Sequence, residues 1–131
     1  MPLVRISLPK KFTKKTKDNI SVSIHKSLIK EFNIPENDYF HIIEELESEQ
    51  IKYPEKYLGI EHTSDIVFVQ IIAGQGRTLE QKKKLYNEIA IQISSSTSVA
   101  KNNVIITLLE NNGRENWSFG NGEIQEPKHL K

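Results

Sequence analysis

Apolar residues recur along this chain at two spacings, and the order of those spacings repeats. Val4, Ile6 and Leu8 alternate with polar neighbours, the period of a strand buried on one face. Behind Thr13 the spacing becomes four, and Ile20, Ile24 and Leu28 form the stripe of an amphipathic helix. A second strand follows in "YFHIIEEL" at 39–46. When the sequence is laid on itself with Val4 over Val69, the pattern returns. Ile6 falls on Ile71, Leu8 on Ala73, Pro9 on Gly74 and Thr13 on Thr78, while Leu85, Ile89 and Ile93 take the places of the first helical stripe. Ile34 then meets Val99, Asn37 meets Asn102, and "NVIITLLE" at 103–110 supplies a fourth strand.

Each half therefore reads strand, helix, strand, the βαβ crossover unit, which is right-handed when its two strands are parallel in one sheet. Two such units predict an α/β (α+β) fold: a tandem βαβ repeat with a four-stranded sheet and two helices on one face, since equal handedness places each helix on the same side. The halves span about 2–47 and 66–111 of a single domain covering 1–131. The linker 48–65 holds Pro54 and Gly59 and has no clean period. The tail 112–131 is rich in Asn and Gly yet carries the one tryptophan, Trp117. A sheet covered on one side leaves an apolar face that self-association would cover, so a homo-oligomer is expected.

Composition narrows the chemistry. A chain of 131 residues without cysteine has no disulfide, thiol nucleophile or Cys-based metal site, which fits a reducing, cytoplasmic setting. No apolar run is long enough to span a bilayer, and the opening residues lack the order of a signal peptide. A net charge of +1, from 18 basic and 17 acidic residues, gives no global field for nucleic acid or an anionic membrane. The lysines of "PKKFTKKTK" come without an aromatic ladder and read as a solvated loop. His25, His41, His62 and His129 show no metal-ligand spacing, so no metal is expected.

Three places carry candidate chemistry. In "AGQGRTLEQ" at 73–81, Thr78 and Gln81 make a capping box, so a helix begins there with its first N–H groups facing the loop. Gly74 and Gly76 allow close backbone approach, and Arg77 offers a planar fork of donors, a combination suited to a carboxylate or phosphate. An ordinary strand-to-helix turn with a surface arginine fits the same residues. Asp38, just ahead of the second strand, reads equally as a turn former. Pro2 is ordinary for a Met-Pro start, yet removal of Met1 would leave a secondary amine. An α-amino group titrates near roughly 8, and burial or a nearby guanidinium lowers that value toward a neutral base.

The start "MPLVRISL", the doubled βαβ unit, "GQGRTLEQKKKLY" and "LLENNGRENWSFGNGEIQ" together resemble the tautomerase superfamily, of the 4-oxalocrotonate tautomerase kind. Within it, the chain resembles the longer fused group that includes malonate semialdehyde decarboxylase. The resemblance runs from Pro2 to about Gln125. It implies that Pro2 is the catalytic base or acid, that Asp38 matches a catalytic aspartate of the decarboxylase group, and that Arg77 matches the second arginine of an Arg-x-Arg pair. Gln75 stands where that group has the first arginine, which counts against decarboxylation. Gln75 and Gly76 would help bind substrate, and Trp117 and Phe119 would form an apolar wall that desolvates the site.

The resemblance thus implies a cofactor-independent isomerase acting on a small carboxylate substrate, assembled as a homotrimer. Its expected reaction is keto–enol proton transfer on a small 2-keto acid or dienol. Decarboxylation or hydration of a malonate semialdehyde-like acid, and a non-catalytic oligomer that keeps the fold for ligand binding, are the alternatives.

Overall fold

Two hydrophobic stripes meeting an alternating sheet build the core. The computed structural model describes residues 2–125; Met1 and 126–131, with His129 and the end of the predicted tail, lie outside them. In chain order the elements are β1 (Leu3–Pro9), α1 (Lys14–Phe32), β2 (Phe40–Leu46), β3 (Lys56–Tyr57), β4 (Ile60–Glu61), β5 (Val67–Gly74), α2 (Leu79–Ser96) and β6 (Val104–Asn111). The main sheet has the order β2-β1-β5-β6. Each half contributes a parallel pair, β1 with β2 and β5 with β6, and the halves join through antiparallel β1 and β5. The predicted four-stranded sheet with two helices is what the chain adopts, and its pairing is mixed.

Both helices start where the threonines predict. The Thr13 hydroxyl accepts from the Thr16 amide at 3.2 Å. At α2 the box is reciprocal: Gln81 N–H donates to the Thr78 hydroxyl at 3.1 Å and Thr78 N–H donates to Gln81 Oε1 at 3.0 Å. Helix α1 ends on Asn33 at φ 57°, a left-handed position that asparagine tolerates better than most residues. From α1, Ile20, Ile24, Leu28 and Phe32 meet Leu85, Ile89 and Ile93 of α2 over Val4, Ile6, Leu8, Val69, Ile71 and Ala73 of the inner strands. The helices lie side by side, with Lys30 on Glu88 at 3.0 Å and the Ser23 and Ser96 hydroxyls 3.1 Å apart.

The uncovered face departs from expectation. Register places three rows on it: Phe40, Leu3, Ile72 and Leu109; then Ile42, Arg5, Gln70 and Thr107; then Glu44, Ser7, Phe68 and Ile105. Only the first row is wholly apolar, and Arg5 and Ser7 both engage Glu44, at 3.3 and 3.1 Å. The linker, a long connection without a clean period in the sequence, contains a short 3₁₀ turn at Ser48–Gln50 and the β3–β4 hairpin, tied to the body by His62 and Asn102. Among the described residues, no helix is long and apolar enough to cross a membrane.

Candidate active site

Topology brings the predicted site residues to one end of the sheet. Pro2 is buried immediately ahead of β1, whose Leu3 pairs with Phe40 on one side and Ile72 on the other. Because β1 and β5 run in opposite directions, the start of β1 adjoins the end of β5 and the turn that holds Gln75, Gly76 and Arg77. Because β1 and β2 are parallel, Asp38 and Tyr39 precede β2 at that same end. Strand β6 also finishes there, where Asn111 pairs with Gly74 and accepts the Gln75 N–H on its carbonyl at 2.9 Å. The apolar row of the open face is the row nearest Pro2.

The β5–α2 turn has the glycine-dependent shape its sequence suggests. Gly76 sits at φ +117°, in open space, so its backbone angle and not crowding calls for glycine. Arg77, however, is not simply an open anion fork. Its Nη1 donates to the Gly74 carbonyl at 3.0 Å, its Nη2 donates to the Phe32 carbonyl at 3.2 Å, and its guanidinium carbon lies 4.7 Å from the centre of the Phe32 ring. The arginine thus caps the C-terminal turn of α1, where a positive charge is favourable, and closes the turn behind β5. Its remaining N–H groups are what a ligand could use.

The tail returns over the sheet end as an aromatic row. Trp117 Nε1–H donates to Asn111 Oδ1 at 2.7 Å, which anchors the indole to the end of β6. Phe119 stacks on Trp117 with ring centres 5.1 Å apart and planes at 8°, and stacks on Phe40 of β2 at 5.5 Å and 28°. The row begins at β6 and finishes at β2, the two edges of the sheet, so it passes the ends of β5 and β1 where Pro2 lies. Such an arrangement presents flat apolar surface at this end of the sheet. Sequence pattern does not single out Phe40 or Asn111; the signal for them is the tryptophan in an Asn/Gly-rich tail, which needs partners.

Asp38 is partly buried and its N–H donates to the Pro35 carbonyl at 3.1 Å, closing a turn. Beside it lies an imidazole pair that sequence spacing did not reveal. The rings of His25 and His41 are 6.1 Å apart, with Tyr39 4.9 Å from His25. His25 Nε2 lies 2.6 Å from the Glu36 carbonyl and His41 Nδ1 lies 2.8 Å from the Ser21 hydroxyl. Burial first, and the neighbouring His25 second, push His41 down to about 4, so it is neutral at physiological pH. Among the described residues, no group of three or more His, Cys, Asp or Glu is placed to hold a metal ion.

The mixed four-stranded sheet built from two βαβ halves, with two helices packed on one face, defines the class to which comparison also leads. Two family models, both described as tautomerase enzyme, match residues 38–120 and 2–58. The chain belongs to the tautomerase family, and so to a family of isomerase-type enzymes. It is 41% identical to the probable tautomerase YusQ of Bacillus subtilis (strain 168), over 95% of this chain and 98% of that one. Its fold is similar to that of FG41 malonate semialdehyde decarboxylase, solved inhibited by 3-bromopropiolate, with TM-score 0.87 and 28% identity over 94% of this chain and 92% of the other. A fused 4-OT solved as a symmetric trimer shares the fold at TM-score 0.77 and 16% identity, covering 93% of this chain and 94% of that one.

Proposed function

We propose that Pro2, once freed from Met1, is the general base of a keto–enol proton transfer on a small 2-keto acid or dienol. The observation that carries this reading is the burial of Pro2 at the sheet end where the arginine turn, Asp38 and the aromatic row converge. Burial and a nearby guanidinium both disfavour the charged amine, so its lone pair is available near neutral pH. In ketonisation the amine takes the enol O–H proton, the C=O bond forms, the C=C electrons move to carbon, and the same proton is returned there. The change is redox-neutral and needs no electron carrier. Arg77, with Gln75 and Gly76, holds the substrate carboxylate on the N–H groups left over from its structural bonds. Trp117, Phe119 and Phe40 exclude water, and Asp38 sets the charge near the amine. The apolar row of the open face supports self-association, and similarity to a fused 4-OT solved as a symmetric trimer supports a homotrimer as its form.

Pro2→Ala, assayed by loss of enol absorbance with phenylpyruvate enol or a hydroxymuconate-type dienol, tests the mechanism; unchanged turnover would sink it. The similarity to a malonate semialdehyde decarboxylase favours a second reaction, decarboxylation of a 3-oxo acid. Against it stand Gln75 in place of an arginine and the two Arg77 bonds already committed to carbonyls. Acetaldehyde release from malonate semialdehyde separates the two.

A further inference from the structure

Strand β2 carries Phe40 and is led by Asp38, yet none of its residues is buried and it contributes nothing to the hydrophobic core. Besides its ladder to β1, it is gripped by a polar stripe on one face of α1. Lys17 pairs with Glu45, Ser21 meets His41 at 2.8 Å, and His25 reaches the Glu36 carbonyl at 2.6 Å. These three residues are spaced by four and share one helix face. The stripe runs against the direction of β2, so His25 holds the end nearest Pro2. A carbonyl oxygen can only accept, so His25 carries its hydrogen on Nε2, and its Nδ1 is a buried nitrogen with no partner among the described residues. The same ring packs 4.9 Å from that of Tyr39, the residue between Asp38 and Phe40.

We infer that His25 is a positioning residue: its Nε2–H bond to Glu36 and its contact with Tyr39 hold the 35–40 segment, and with it Asp38 and Phe40, at the sheet end where Pro2 lies. This rests on the proposed proline mechanism for its consequence in turnover, but not for the tie itself. Apolar burial fixes β1 and β5; an edge segment without it needs directed polar bonds to keep a carboxylate within the tolerance that catalysis demands.

Glutamine places its amide N–H close to the position of imidazole Nε2, whereas asparagine does not reach it. His25→Gln, His25→Asn and His25→Ala are therefore compared by hydrogen exchange over residues 33–41 and by enol ketonisation, in wild-type and Asp38→Asn backgrounds. Exchange of the segment is expected to rise about tenfold or more in the Ala and Asn variants and to stay near wild type in Gln. Turnover should follow, with kcat down about tenfold at little changed KM in Ala and Asn, and with no further loss when Asp38→Asn is already present. Unchanged exchange in His25→Ala overturns the tie. Raised exchange with unchanged kcat, in a protein whose turnover still depends on Pro2, overturns the positioning role. Turnover indifferent to Pro2→Ala instead removes the proline mechanism and with it the catalytic role, while exchange still decides the tie.

Discussion

On the proposed mechanism Arg77 serves both stability and activity, and removing it should cost both. In Arg77→Ala two charge-assisted hydrogen bonds to backbone carbonyls vanish, those to Gly74 at 3.0 Å and Phe32 at 3.2 Å. Bonds to charged groups contribute about 1.5–3 kcal/mol each when buried, and the low end applies to this half-buried side chain. Loss of the guanidinium over the Phe32 ring adds about 0.5–1 kcal/mol. The helix-end charge effect is the Phe32 bond seen another way and is not counted again. Water can reach part of the freed carbonyls, so the net cost is about 2–3 kcal/mol, or a fall in Tm of about 8–12 °C at this chain length. Arg77→Lys keeps the charge but cannot bridge both carbonyls, and should lose about half as much. Thermal unfolding gives the first readout; kcat and KM well below Tm give the second, with KM rising for a carboxylate enol and not for a neutral one. A Tm within about 2 °C of wild type in Arg77→Ala would refute the structural role, and equal KM effects on both enols would refute carboxylate binding.

Other outcomes follow from single features. Protein that retains Met1 has an amide at Pro2 and should show no proline-dependent ketonisation; intact mass with the enol assay on cleaved and uncleaved samples checks it. Gly76→Ala meets no crowding but forces a side chain to φ +117°, and should destabilise by about 1–2 kcal/mol in urea unfolding. His41, ordinarily near 6.5, is pushed down to about 4 by burial and by His25, so the folded state binds fewer protons than the unfolded chain between those values. Stability from this group is complete above about pH 6.5 and is lost as pH falls toward 4, by at most about 3 kcal/mol and by about 1–2 once solvent at the strand edge is allowed for. Urea unfolding at pH 7, 5.5 and 4.5 should show a shallower dependence in His41→Asn than in wild type. Parallel curves would count against a buried neutral His41.

What the sequence disclosed, and what it withheld, divides along one physical line. Strands β1 and β5 and both helices are legible because each buries a periodic set of side chains: Val4, Ile6 and Leu8, Val69, Ile71 and Ala73, and the two stripes of isoleucine and leucine. Where burial is absent, periodicity carries less. Strand β2 reads from the sequence only as a second strand and is an edge held by polar bonds, and the β3–β4 hairpin turns through Leu58 at φ 51° and Gly59 at φ 80°, with leucine where asparagine or aspartate is usual, so Gly59 alone does not mark it as a hairpin. The site follows the same division. The glycine-rich turn singles out Gly76 and Arg77, family resemblance singles out Pro2, Asp38 and Gln75, and the strand order sets all five at one end of the sheet. The second duty of Arg77 was hidden, since only the packed sheet brings the end of α1 beside the end of β5. Asn111, Phe40 and the His25–His41 pair were hidden for the same reason: their partners lie far off in sequence and are met only through the tail's return and the α1–β2 stripe. Residues that act through their own position in an element are therefore readable from pattern, whereas residues that act by holding another element in place become visible only in the assembled fold.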